Sequence, residues 1–316
     1  MTAAQAAQSS YYGVPVIHKP HWNWMIVLYF FLGGFSGASY VIASIAELSA
    51  AKKYGEIVRA GRFLSFLALL PCPVLLILDL QRPERFLHML RVVKLRSPMS
   101  VGTWGLLLFS AFSTVSAALQ ATRDGRFDGA TGARFLKALP NRVIGTIGIV
   151  PGFFMSGYTG VLLGATAVPL WAKNALLLGP LFVASALSSA ASAISLVLAL
   201  RGRVPAEAMH GLDSVERIAK AAEAGMLVAS LARLGDTARP LTEGRNGKVM
   251  TVGAIGAGIV LPAVLQAANR RQARAIIVLA SVLTLIGGYA FRHAVVMAGK
   301  ASADDPHATF EWTKRS

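Results

Sequence analysis

VIGTIGIVPGFFMSGYTGVLLGATAVPLWA, residues Val143–Ala172, is thirty residues long and contains no Asp, Glu, Lys or Arg. A helix crosses a hydrocarbon core of roughly 30 Å with about 20 residues, so this run alone asks for a membrane. Working outward, comparable uncharged runs are Ser97–Thr122 (26 residues), Asn174–Leu200 (27) and Val249–Asn269 (21). Met25–Ala46 adds 22 residues, Phe63–Leu78 adds 16 before Asp79, and Ala275–Phe291 adds 17 before Arg292, with apolar sequence on to Gly299. The stretch Ser214–Leu234 differs, because Glu216, Arg217, Lys220 and Glu223 lie inside it. By itself it reads as an amphipathic surface helix. Between two apolar neighbours it reads as a span with an acidic face turned inward. The expectation is eight spans, or seven if this helix stays on the surface.

Composition agrees. Of 316 residues, 54% are hydrophobic and only 15% charged, with a mean hydropathy of +0.55; soluble domains carry about 25% charge. A disordered chain is excluded and a water-soluble enzyme is disfavoured. The single cysteine, Cys72, excludes a disulfide scaffold, a four-cysteine zinc site and an iron–sulfur cluster held by this chain alone. A net charge of +16 invites nucleic acid, but basic loops between spans account for it, so no nucleic-acid partner is expected. Lys and Arg divide almost evenly between the two sides, so the positive-inside rule assigns no orientation. The first apolar segment is too long for the core of a signal peptide, and is expected to remain as a helix.

A repeat lies in the chain. Asp79-Leu80-Gln81-Arg82-Pro83 closes the second span and Asp236-Thr237-Ala238-Arg239-Pro240 the sixth, sharing D-x-x-R-P. Gly157-Tyr158 lies in the fourth span and Gly288-Tyr289 in the eighth. Two four-helix halves in parallel orientation would produce this pattern; so would a chance recurrence of helix-end chemistry. The expected fold is an all-α integral membrane protein of eight transmembrane helices in two four-helix bundles. Residues 1–23 form an N-terminal extramembrane segment, 24–170 the first bundle, 171–299 the second, and 300–316 a tail. The tail, with Asp304, Asp305, Glu311 and Trp312, reads as a solvated end or a partner contact.

The polar residues narrow the chemistry. A haem between spans needs buried axial ligands. Of His18, His21, His88, His210, His293 and His307, only His21 and His293 lie near spans, both at ends. No haem is expected, and single-electron carriers would belong to a partner. Span parity brings other groups together. The first span starts on the N-terminal side, beside His21, Trp22, Asn23 and Trp24. The second returns there with Asp79 and Arg82, and the fourth with Tyr158. An imidazole, an amide, a carboxylate and a phenol thus share one membrane face. They suit a ligand with two oxygens and a greasy tail, such as a quinone, with Asp79 exchanging protons and Arg82 holding it. Plainer readings stand beside this one: an Asp–Arg staple that ends a helix, and interfacial anchors at His21, the Trp pair and Tyr158. Gly33, Gly34 and Gly37, like Gly157, Gly160 and Gly164, form close-approach faces for helix packing. Pro71 and Pro73 should bend the second span. Glu47, Glu216 and Glu223 are candidate proton stations, with Asp236, Arg239 and Arg292 as further proton-transfer candidates; Lys220 beside Glu223 equally suggests a structural ion pair.

Several of these residues form a recognisable pattern. Trp24-Met25-Ile26-Val27-Leu28-Tyr29-Phe30-Phe31-Leu32-Gly33-Gly34 with Gly37-Ala38 resembles the first helix of the NrfD-like, polysulfide-reductase membrane-subunit family. Asp79-Leu80-Gln81-Arg82-Pro83-Glu84-Arg85-Phe86 is the more specific motif. Ser97-Pro98-Met99-Ser100-Val101-Gly102-Thr103-Trp104, Tyr158-Thr159-Gly160-Val161-Leu162-Leu163, and Gly287-Gly288 with Arg292 extend the match, and Glu223 resembles a common acid of the sixth span. The resemblance implies a haem-free subunit of the bacterial inner membrane that binds a quinone (menaquinone or ubiquinone) in its first bundle. It also implies docking on an iron–sulfur subunit, and through it on a molybdopterin or other catalytic subunit. Asp79 and Tyr158 match the family's pocket acid and phenol; His21 and Asn23 match its polar cluster; Arg82 belongs to the motif; His88 follows it without an assigned role. A proton-coupled transporter and a purely structural membrane anchor are the alternatives.

Overall fold

The computed structural model describes residues 20–80, 86–91, 93–126, 138–202, 206–269 and 273–304, and every regular element among them is helical. Eight long helices follow one another along these residues: α1 Trp24–Ala50, α2 Gly55–Asp79, α3 Pro98–Arg123, α4 Asn141–Gly164, α5 Ala175–Arg201, α6 Ala206–Leu234, α7 Gly244–Ala268 and α8 Arg274–Ala303. Seven are long and apolar enough to cross a membrane, so this is a multi-pass membrane protein. The eighth, α6, has the length, at 29 residues, but carries charge. Three of its charges point inward, Glu216, Lys220 and Glu223 at 0%, 3% and 6% exposed, while Arg217, Ile218 and Val228 face outward. Pairing within the protein makes such burial tolerable in a low-dielectric interior. Lys220 is bonded to Glu216, whose Oε1 also accepts from Ser192 Oγ at 2.5 Å.

Helix ends depart from the uncharged runs for a consistent reason. Helix α2 begins at Gly55 because Arg59 and Arg62 are helix residues whose charges are matched by Asp124 and Glu47. Its regular pattern is interrupted at Leu70, just before Pro71, whose nitrogen carries no hydrogen to donate. Helix α4 stops at Gly164; Thr166 Oγ1 then donates to the Leu163 carbonyl at 2.7 Å, and Pro169 opens a short helix to Lys173. In α7, Val249–Val260 winds as a π-helix. Its Gly258 lies directly on the backbone of Gly287 in α8.

Helices alternate in direction, so two faces can be named: the proximal face, where α1 begins, and the distal face, where it ends. Helix α1 packs on α2 and α4, and α3 joins those two, closing one ring of four. Helix α5 packs on α6 and α8, and α8 on α7, while α6 and α7 barely touch. Across the junction α4 packs on α5 and, more lightly, α8 on α1, with α1 and α5 meeting between them. The glycine faces serve this packing: Gly37 sits against Gly152 and Ser156, and Gly160 against the Leu178 carbonyl.

Candidate functional site at the proximal face

Asp79 is the last residue of α2; Leu80 turns to extended backbone and ends the helix. Asp79 Oδ1 is buried and has no hydrogen-bond partner among the described residues. An orphaned carboxylate oxygen is costly to bury, so a donor from outside the chain or from its undescribed residues suits it. The groups acting electrostatically on Asp79 are His21 and Lys300. Lys300, in the last turn of α8, donates to the Trp22 carbonyl at 2.7 Å. Trp22 stacks on Trp171, with ring centroids 5.2 Å apart, and Trp171 Nε1 donates to the Val295 carbonyl at 3.0 Å. The segment before α1 is therefore clamped against α8 at Trp22, which fixes the backbone next to His21. Asn23 is the N-cap of α1: its Oδ1 accepts from the Met25 N–H at 2.8 Å, leaving its Nδ2 as the group able to reach a ligand.

Tyr158 stands on the same side of the membrane, against α3. It lies six residues before the end of α4, about 9 Å into the membrane from that end. Its hydroxyl donates to the carbonyl of Pro98, the first residue of α3, its ring stacks on Phe154 at 4.9 Å, and Gly102 leaves the space it occupies. Because its proton is committed, the phenol can offer a ligand only lone pairs, and so can accept from a hydroxyl but not donate to a carbonyl. Tyr29 of α1 is buried and is an electrostatic neighbour of both Tyr158 and Cys72.

The other sequence candidates lie elsewhere. Arg82 is outside the described residues. His88 is exposed on the short helix Phe86–Met89. Glu47 lies at the distal face, where it accepts from Arg62, from Asn141 Nδ2 at 2.6 Å and from Arg123 at 3.2 Å. Glu223 of α6 shares Ser185 of α5 with Arg292 of α8. Arg292 is not a span end as its position in the sequence suggested: it is fully buried within α8, bonded to Ser185 and to the Gly288 carbonyl, between the rings of Phe31 and Phe182. Asp236 and Arg239 are exposed at the proximal face and pair at 3.6 Å. Among the described residues, no cluster of three His, Cys, Asp or Glu side chains forms a metal site. Sequence reasoning missed Lys300 and Tyr29. Parity could have found Lys300, since the eighth span ends on the face where the first begins.

The family model described as "Polysulphide reductase, NrfD" matches residues 16–303. Over 302 residues the sequence is 28% identical to the C subunit of polysulfide reductase from Wolinella succinogenes, covering 88% of this protein and 94% of that one. It is 25% identical over 322 residues to the protein NrfD homolog of Haemophilus influenzae, covering 92% and 98%.

Proposed function

From the finding that the chain belongs to the NrfD polysulphide reductase family, we propose that it is the quinone-binding membrane subunit of a bacterial respiratory oxidoreductase. The observation that carries this reading is the buried Oδ1 of Asp79, unpartnered among the described residues, at a membrane face that also holds His21 and Lys300. A quinol hydroxyl is a donor of the kind this oxygen lacks, and a second one can be accepted by the Tyr158 oxygen. The residues present thus fit the group. A bound quinone supplies exchange of two electrons and two protons, and its isoprenoid tail needs the apolar surroundings that a membrane site offers.

The protein's own residues divide the remaining work. Asp79 takes or returns a proton at Oδ1, and His21, exposed to the aqueous face, relays it to water. Lys300 and Trp22 fix the segment carrying His21, Asn23 offers Nδ2, and Tyr158 orients an oxygen from the deeper side. Electrons reach a partner subunit, since this protein offers a single cysteine and few membrane-level histidines; an iron–sulfur protein wired to a catalytic subunit is the partner proposed. The Wolinella relative is one lettered subunit of its reductase, which supports assembly with other subunits. A division of the helices near residue 170 into two parallel halves belongs to the same proposal, supported by the closed ring of α1 to α4 and the open row in which α6, α5, α8 and α7 pack in turn.

The test is Asp79→Asn in the assembled complex. Quinone-linked turnover is expected to fall tenfold or more, the scale for removing a positioned proton-transfer group, with subunit composition unchanged. Turnover equal to wild type in the assembled variant would remove the catalytic role of Asp79.

A further inference from the structure

On the distal face, a cavity of about 390 Å³ separates the start of α6 from the end of α7. It is the space left where these two helices barely touch. Its lining changes with depth. The outermost groups are His210, Asp213 and Arg217 of α6 and Gln266 of α7. Gln266 is two residues from the end of α7, so they stand at the level of the membrane interface. Deeper, the walls become Ala221 and Ala224 on one side and Ala263 and Ile259 on the other. Ile259 lies seven residues, about 10 Å, inward of Gln266. A polar mouth over an apolar throat, graded along the membrane normal, matches an amphiphile entering from the leaflet.

Charge selects among amphiphiles. Lys220 also lines the cavity but is bonded to Glu216, so its charge is matched. One carboxylate, Asp213, and one guanidinium, Arg217, remain; they stand four residues apart on α6 and act on each other electrostatically without closing to an ion pair, and Arg217 donates only to the neutral Ser214 Oγ, at a long 3.4 Å, among the described residues. A mouth with one charge of each sign suits a head group that carries both. Gln266 Oε1 is buried and accepts no hydrogen bond among the described residues, so it calls for an N–H or O–H donor. A phosphocholine head has no such donor. A phosphoglycerol head has hydroxyls but brings a net negative charge against Asp213, and a quinone ring has no use for either ion. A phosphoethanolamine head supplies an ammonium for Asp213 and Gln266 and a phosphate for Arg217.

We propose that this cavity binds one molecule of phosphatidylethanolamine, its head group held between Asp213, Arg217 and Gln266 and an acyl tail running along Ala224 and Ile259, so that lipid fills the seam between α6 and α7. The site lies on the face opposite Asp79 and does not depend on the quinone reading.

The experiment is purification of the full complex in mild detergent, a delipidating wash, and mass spectrometry of the extracted lipid. Wild type should retain about one phosphatidylethanolamine per copy of this subunit, enriched over its share of the membrane. Ala263→Trp, at an exposed position on the cavity wall, should fill the cavity and abolish retention. Arg217→Ala should lower it several-fold, and decides the matter if Ala263→Trp does not assemble. The proposal is overturned if wild type retains no lipid, if retained lipid follows bulk membrane composition, if phosphatidylglycerol or quinone is retained instead, or if the variants keep the wild-type amount.

Discussion

Glu47→Leu should destabilise the protein by about 3–5 kcal/mol, the cost of leaving one member of a buried ion pair without its partner, and little assembled complex should be recovered. Arg62 is the member left behind. Its side chain is 1% exposed and reaches Glu47 from the first half of α2, while Nη1 donates to Asn141 Oδ1 at 2.5 Å. Arg123, the other cation on Glu47, is 53% exposed and can turn to water, so it adds little to the loss. Asn141 closes the group by donating back to Glu47, which joins the ends of α1 and α3 to the starts of α2 and α4. Replacing both charges, Glu47→Leu with Arg62→Met, should recover most of the lost stability, because apolar groups of similar volume replace a desolvated pair at little or no cost. The same double variant separates two roles for Glu47. It lies eighteen residues, about 27 Å of helix, from Tyr29. An ion pair that only holds helices together predicts full quinone-linked turnover in the double variant; a proton station predicts its loss. Thermal unfolding of the purified complex and turnover per assembled complex are the measurements. A single variant as stable as wild type, or a double variant no better than the single, would defeat the argument.

That cluster also marks where sequence reading stopped. The spans were legible as runs without charge, and the inward face of α6 as acidic and basic residues at positions 216, 220 and 223, spaced to share one side of a helix. Span ends were less legible. A charged residue in a membrane sequence looks like a boundary unless its partner is known, and here the partners come from other helices: Glu47 for Arg62, and Ser185 with Glu223 for Arg292. Helix α2 therefore starts earlier than its uncharged run, and α8 continues well past Arg292. At the proximal face, counting crossings was enough to expect His21, Asp79 and Tyr158 on one side of the membrane. It could not tell that the Tyr158 proton is given to Pro98 or that Asn23 uses its oxygen to cap α1, because a backbone acceptor or donor leaves no mark on side-chain identity.

Gly299→Ala should lower both thermal stability and quinone-linked turnover, although it adds one methyl group at a position far along the sequence from Asp79. A Cβ at Gly299 would fall on the indole of Trp171, against Cε2, Nε1 and Cζ2. Trp171 is fully buried and its Nε1 is bonded to the Val295 carbonyl, so the ring cannot swing aside without breaking that bond. Overpacking of this kind costs about 1–3 kcal/mol. The displacement does not end at Trp171. Trp22 stacks on it, the Trp22 carbonyl takes the Lys300 ammonium, and His21 is the next residue. Turnover should therefore fall about tenfold or more, as expected when groups around a reacting centre move by about an ångström. Gly225→Ala is the control: a Cβ there meets nothing within 4 Å, and the gain in helix propensity of about 1 kcal/mol should leave stability unchanged or raised. Combining Gly299→Ala with Trp171→Phe should restore part of both properties, since the smaller ring vacates the space the new methyl needs. If Gly299→Ala melts and turns over like wild type, Trp171 does not position the proximal face. If it loses turnover and the smaller ring restores nothing, the damage travels by a route other than the Trp171–Trp22 stack.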